Sequence, residues 1–131
     1  MAEKPNVRIL ITGSMPEATA SERVIKSIGG GFLVQTSGNK VFDGELKTVT
    51  KRAPTEQEMA DMKFAFTVCK HVKSNAIVYA TQDQLVGVGA GQTSRVDSVK
   101  IAGMRAILPT RGAVMASDAF LMKEVLSARL E

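Results

Sequence analysis

Six residues near the middle of the chain, Asn75-Ala-Ile-Val-Tyr-Ala80, constrain the fold more than any others. They form an apolar run without the alternation of a strand that shows one face to water, so they read as a strand covered on both faces. Such a strand requires one layer of structure above it and another below. Upstream, Thr55 and Glu58 have the spacing of a capping box, and Met59, Met62, Phe66, Cys69 and Val72 recur every three or four residues. That pattern predicts a helix reaching about Lys73 with the stripe in the core. Downstream, Gln82-Asp83 predicts a tight turn into a second strand at residues 85–88, ended by Gly87, Gly89 and Gly91. Ser94 and Asp97 offer another capping pair for a helix to about Ile107. A strand at residues 112–116 and a last helix beyond Ser117-Asp118 complete the series. This order predicts a three-layer α/β domain with a mixed sheet.

The N-terminal part is read less directly. Residues 7–12 suit a short strand, 13–17 a turn and 18–27 a short helix. Gly29-Gly30-Gly31 breaks the chain before a strand at residues 32–35, and residues 36–43 suit a loop or hairpin.

With 131 residues, 44% of them apolar and 23% charged, the chain has material for one domain with a core, residues 1–131. A multidomain machine and a disordered chain are both excluded. No apolar stretch approaches a membrane span or a signal-peptide core, and the lone Cys69 fits a reducing compartment, so a cytoplasmic protein is expected. A net charge of +4 favours anionic ligands without choosing among them. The basic residues are scattered, and one Tyr, five Phe and no Trp leave few stacking platforms. Both observations argue against nucleic acid as a partner.

The most suggestive local feature is the turn Gly87-Val-Gly-Ala-Gly-Gln-Thr-Ser94. It matches neither the dinucleotide fingerprint, because Gln92 stands at the last glycine, nor the P-loop. Two readings stay open: an anion-binding turn made by Gly89, Gly91, Gln92 and Ser94, or a glycine turn with no ligand. Arg95 opposes the helix dipole in the first turn, a placement easier to justify if it holds an anion. Lys70 and Lys73 suit a helix C-terminus, and His71, the only histidine, reads as a surface or partly buried residue rather than a catalyst. Asn75 opens the buried strand, where α/β sites lie and a carboxamide can donate and accept. The His-x-Glu and Pro-Cys-x-x-Cys pattern of zinc deaminases is missing, as is any Ser-His-Asp order.

Four segments in order then carry a resemblance: Ser27-Ile-Gly-Gly-Gly-Phe-Leu-Val-Gln35, Cys69-Lys-His-Val-Lys-Ser-Asn-Ala-Ile-Val78, Gly87-Val-Gly-Ala-Gly-Gln-Thr-Ser-Arg-Val-Asp-Ser-Val99 and Gly112-Ala-Val-Met-Ala-Ser-Asp-Ala-Phe120. Together they resemble the second half of the formyltransferase part of the family that joins 5-aminoimidazole-4-carboxamide ribonucleotide (AICAR) transformylase to inosine monophosphate cyclohydrolase. The resemblance covers about residues 27–120 and leaves 1–26 and 121–131 unassigned. It implies a cytidine-deaminase-like α/β/α fold used without zinc, and formyl transfer from the co-substrate 10-formyltetrahydrofolate to the 5-amine of AICAR. It also implies an active-site role for Asn75 beside the reacting amine, and Arg95 in a site shared across a dimer. Lys73, Ser117 and Asp118 fall on the substrate side, and Phe120 on the folate wall. The sequence departs from the family after Phe120, where Leu121-Met-Lys-Glu follows. The family's catalytic histidine belongs to a half-domain absent here, and Lys70-His71 echoes it without its place. Two expectations result: a formyltransferase-related chain that needs a further chain or a homo-oligomer, or an excised, non-catalytic domain that binds a purine-precursor nucleotide or folate.

Overall fold

The computed structural model describes residues 10–14, 17, 22–42 and 44–118. The chain separates into two compact units, the first ending at Lys40 and the second beginning at Val41.

In the first unit, β1 (Arg23–Ile28) and β2 (Gly31–Thr36) form an antiparallel hairpin, paired from Arg23↔Thr36 to Ile28↔Gly31. Gly29 and Gly30 close it, and Gly30 adopts φ +78°, a left-handed conformation open to glycine. The helix expected at residues 18–27 is therefore corrected over its described part. Val24, Ile25 and Ile28 are β-branched and pair across a two-residue turn, which outweighs the weak helical spacing. Residues 18–21 of that expectation, and 7–9 of the expected first strand, lie outside the described residues; residues 10–12 have no regular structure.

The second unit contains α1 (Glu56–Cys69), β3 (Ile77–Thr81), β4 (Gln84–Gly89), α2 (Arg95–Met104) and β5 (Val114–Ser117). Its sheet has the order β4-β3-β5, with β3 antiparallel to both neighbours. The expected mixed sheet is thus corrected: both sheets among the described residues are antiparallel. Gln82 (φ 48°) and Asp83 (φ 56°) form the β3–β4 turn, and so short a connection can only reverse the chain.

Side chains of β3 alternate between two apolar clusters. Ile77 and Tyr79 pack with Val86, Val99, Ala102 and Ala113 on the α2 side. Ala76, Val78 and Ala80 pack with Ala65, Cys69 and Ala116 on the α1 side. The central strand is buried on both faces, with one helix over each.

The α1 N-terminus forms the capping box that its sequence predicts. The Glu58 N–H donates to Thr55 Oγ1 (3.2 Å) and the Thr55 N–H to Glu58 Oε2 (2.8 Å). The helix ends at Cys69 rather than Lys73, because the N–H groups of His71 and Val72 turn back to Val68 O (2.9 Å) and Cys69 O (3.0 Å). The stripe is only partly core. Asp61, Ala65 and Cys69 are the buried positions, whereas Met59, Met62 and Phe66 line an open cleft. Buried Asp61 accepts from Gln57 Nε2 (2.9 Å) and from the Asp83 N–H (3.3 Å), which ties α1 to the β3–β4 turn.

Gly87 and Gly89 lie within β4 rather than after it, and packing explains them. A Cβ at Gly87 would stand 2.2 Å from the Ala102 carbonyl oxygen, and one at Gly89 1.8 Å from that of Ser98. Helix α2 presses its backbone onto β4 at those two positions. Ser94 takes the N-cap position of α2 without a side-chain capping bond, so the expected Ser94–Asp97 pair does not form. The helix expected beyond Asp118, with Leu121, Met122, Val125 and Leu126, lies outside the described residues. No helix among the described residues is long and apolar enough to cross a membrane.

Candidate active site at the strand ends

The turn before β3, the start of α2 and the end of β5 meet at one edge of the sheet. Asn75 leads into β3, Arg95 is the first residue of α2, Ser117 ends β5 and Asp118 follows it. The chain reaches Asn75 through a cis Ser74–Asn75 peptide.

Arg95 is the hub. Its Nη2 donates to Asn75 Oδ1 (2.9 Å), and its Nη1 to Ser117 Oγ (2.8 Å), Asp118 Oδ1 (2.5 Å) and the Ala76 carbonyl (3.4 Å). Asn75 Nδ2 donates to the carbonyls of Gln92 (2.9 Å) and Thr93 (3.2 Å). Asp118 also accepts from the Ala76 N–H (3.0 Å) and the Ser74 hydroxyl. The unfavourable position of a cation at a helix N-terminus therefore has a local cause: the Asp118 carboxylate neutralises Arg95. Burial alone would push the Asp118 carboxyl up. Hydrogen bonds from Ser74, Arg95 and the Ala76 N–H, with the guanidinium charge, bring it below its ordinary range.

Two residues that the sequence reading passed over belong to this cluster. Ser74 holds Asp118, and its only sequence signal is its place beside Asn75. Ser98 is fully buried and its hydroxyl donates to the Asn75 carbonyl at 2.7 Å. Ser98 can reach Asn75 because Gly89 lets α2 approach so closely, a relation that strand and helix spacing do not reveal.

The remaining candidates are placed as follows. Gly89 is buried beneath α2, and Gly91 is exposed at φ +70° with open space where a Cβ would stand. Gln92 contributes its carbonyl to Asn75 and its side-chain amide to the Ala90 carbonyl (3.1 Å). Lys73 and His71 are exposed in the turn before β3. Phe120 lies outside the described residues. Among the described residues, no group of three or more His, Cys, Asp or Glu side chains is placed to hold a metal ion. Cys69 is a packing residue: burial raises its thiol to about 11, with the Asp118 charge adding to the effect.

Beside this cluster lies a cleft of about 690 Å³. Met59, Met62 and Phe66 of α1 form one wall and β5 another, while residues of the 42–54 segment close the third side. Phe42 stacks on Phe66 with ring centroids 5.6 Å apart. The cleft shares Ser117 with the cluster, whereas Asn75 and Arg95 do not line it.

Chemically, Asn75 has both amide hydrogens committed to the 92–93 turn and one oxygen lone pair taken by Arg95. The second lone pair can accept an N–H from a ligand. The guanidinium is fixed by two segments of chain, 75–76 and 117–118, and its charge is matched by the Asp118 carboxylate at the strand end.

The fold and the cluster define a small α/β domain whose strand ends carry a fixed carboxamide, guanidinium and carboxylate. Its lineage is more specific. The chain belongs to the AICARFT/IMPCHase bienzyme family, whose model matches residues 1–105. It is 54% identical over 132 residues to the bifunctional purine biosynthesis protein PurH of Sinorhizobium fredii, covering 92% of this chain and 25% of that protein. It is 53% identical to the PurH proteins of Mesorhizobium japonicum and Rhizobium meliloti, again over 92% of this chain and 24% and 25% of theirs. The chain thus spans about a quarter of the length of these relatives.

Proposed function

We propose that this chain is a formyltransferase-related domain of purine biosynthesis, corresponding to the second, cytidine-deaminase-like half of the transformylase. The reaction is formyl transfer from 10-formyltetrahydrofolate to the 5-amine of AICAR. One observation carries the reading: in a member of this family, Asn75 and Arg95, 20 residues apart, stand within hydrogen-bonding distance at a sheet edge. A helix on each face of the central strand also supports the three-layer arrangement that the reading calls for.

In this reading the Asn75 oxygen accepts an N–H of the substrate amine and orients its lone pair toward the formyl carbon. The amine nitrogen bonds to that carbon, the bond from the carbon to N10 of the folate breaks, and the proton lost by the amine is balanced by the one that N10 gains as it leaves. Arg95 holds negative charge of the nucleotide or of the developing intermediate. Ser117 and Asp118 position Arg95, and the latter fixes the turn at Ser74. No residue described here takes the proton, and the family's histidine half lies beyond this quarter-length match. General acid–base catalysis contributes about 10²–10⁴-fold, so the chain alone is expected to turn over little or not at all.

A second reading, a non-catalytic domain that binds the nucleotide or folate, is favoured by the cluster itself, which fixes a carboxamide and a guanidinium through their mutual hydrogen bonds. Two measurements separate them: calorimetric titration of the chain with AICAR and with 10-formyltetrahydrofolate, and an assay of formyl transfer. Weak binding without turnover supports a domain that needs its complement. Turnover restored by adding the rest of a family enzyme supports the formyltransferase reading, and binding that no complement converts to turnover supports the second. Ordinary turnover by the chain alone, abolished by His71→Ala, would overturn the assignment of His71 as a bystander.

A further inference from the structure

We infer that Asp118 is the specificity-determining residue of the cluster: by cancelling the charge of Arg95 it bars preformed anions, phosphate and carboxylate alike, and leaves a neutral donor–acceptor pair. The inference rests on the reading proposed above and narrows it, since it says which part of the substrate the cluster receives. Arg95 and Asp118 are in direct contact at 2.5 Å, with 13% and 25% of their side chains exposed, so solvent screens the pair only partly. Asp118 is not free to swing aside and release the guanidinium. Its Oδ1 also accepts from the Ala76 N–H, and its Oδ2 from the Ser74 hydroxyl, so both oxygens are tied to the turn before β3. At atoms beyond the pair, the attraction of the guanidinium and the repulsion of the carboxylate largely cancel. Asp97, in the first turn of α2, adds negative charge to the same helix end.

Hydrogen bonding points the same way. One Nη2 hydrogen of Arg95 is given to Asn75 Oδ1 at 2.9 Å, and the other has no partner among the described residues. The carboxamide oxygen keeps its second lone pair. An acceptor and a donor thus stand side by side, the complement of a neutral group that carries an N–H beside a C=O. A phosphate or carboxylate brings acceptors only. It would set one oxygen against the Asn75 oxygen and meet the Asp118 charge as well, two repulsions for a single hydrogen bond. Of the two charges named for Arg95, the one that develops during attack on the formyl carbon is compatible with the cluster. The phosphate of the nucleotide is held elsewhere.

The test uses the intact chain and two probes, the uncharged base 5-aminoimidazole-4-carboxamide and inorganic phosphate, titrated at constant ionic strength. Nuclear magnetic resonance follows the Arg95 side-chain N–H and the Asn75 amide. In the parent, the base is expected to give saturable shifts at both residues, and phosphate none up to about 50 mM. Asp118→Asn is expected to bind phosphate at Arg95 at least about tenfold more tightly than that limit, a gain that adding Arg95→Gln abolishes. Asp118→Ser, which also removes the charge, is expected to show the same gain and serves if the amide variant does not fold. Damage to the fold would only weaken binding, so a gain at Arg95 separates control of charge from structural support. Parent Arg95 signals that saturate with millimolar phosphate overturn the proposal, as does a folded charge-removed variant that ignores phosphate. A base that fails to bind the parent counts against the formyltransferase reading instead, and the phosphate titrations then decide the role of Asp118 by themselves.

Discussion

Arg95 draws its partners from the start of β3 and the end of β5, so one guanidinium fixes the relative position of three elements. Asp118→Asn keeps the shape and removes the charge. It is expected to cost about 1.5–3 kcal/mol of stability near neutral pH, measured by denaturant unfolding, because charge-assisted hydrogen bonds of a largely buried guanidinium are weakened. The sign of the pH dependence follows from a lowered carboxyl. The Asp118 contribution is complete above its ordinary value of 3.8 and is lost as pH falls through the depressed native value. The difference between parent and Asp118→Asn should therefore shrink below about pH 4. Glu58 shows the same sign, since Arg52 (2.8 Å) and the Thr55 N–H lower it from 4.5 to about 2, but at an exposed site. Ser98→Ala removes a buried donor to the Asn75 carbonyl and is expected to cost about 1 kcal/mol. It should also weaken any binding that depends on Asn75.

At the scale of elements, two glycines separate the physics of close approach from that of backbone freedom. Gly89→Ala drives a methyl group into the Ser98 carbonyl and is expected to destabilise the fold by about 3 kcal/mol or more. Gly103→Ala, in α2 with open space around it, is expected to stabilise by about 0.5–1 kcal/mol. Calorimetric unfolding of the two variants checks both the size and the opposite signs. These glycines also mark what the sequence could tell. Local chemistry was legible: the Thr55–Glu58 box, the Gln82-Asp83 turn and the doubly covered strand at Ile77–Thr81 each follow from a few adjacent residues. Features set by distant chain were not. Met59, Met62 and Phe66 have the spacing of a core stripe, yet residues 42–54 form a cleft against them rather than a seal. Gly87 and Gly89 read as strand breakers until the axis of α2 is known. Residues 22–27 read as helix because their cross-strand partners begin only at Gly31. In the site, Asn75 and Arg95 are each legible from their own segments, while the Asp118 neutralisation and the Ser98 support required the packed elements.

On the scale of the whole molecule, the chain is about a quarter of its relatives' length, yet it holds a core and a fixed polar cluster. The account's central claim is that this cluster, rather than the apolar cleft beside it, receives the purine precursor. Titrating isotope-labelled protein with AICAR and following backbone and side-chain amides by nuclear magnetic resonance tests the claim most directly. The account expects saturable shifts at residues 74–76, 92–95 and 117–118, including the Asn75 side-chain amide, and their loss in Asn75→Ala. Shifts confined to residues 42–66 along the cleft, or an Asn75→Ala protein that responds like the parent, would contradict it.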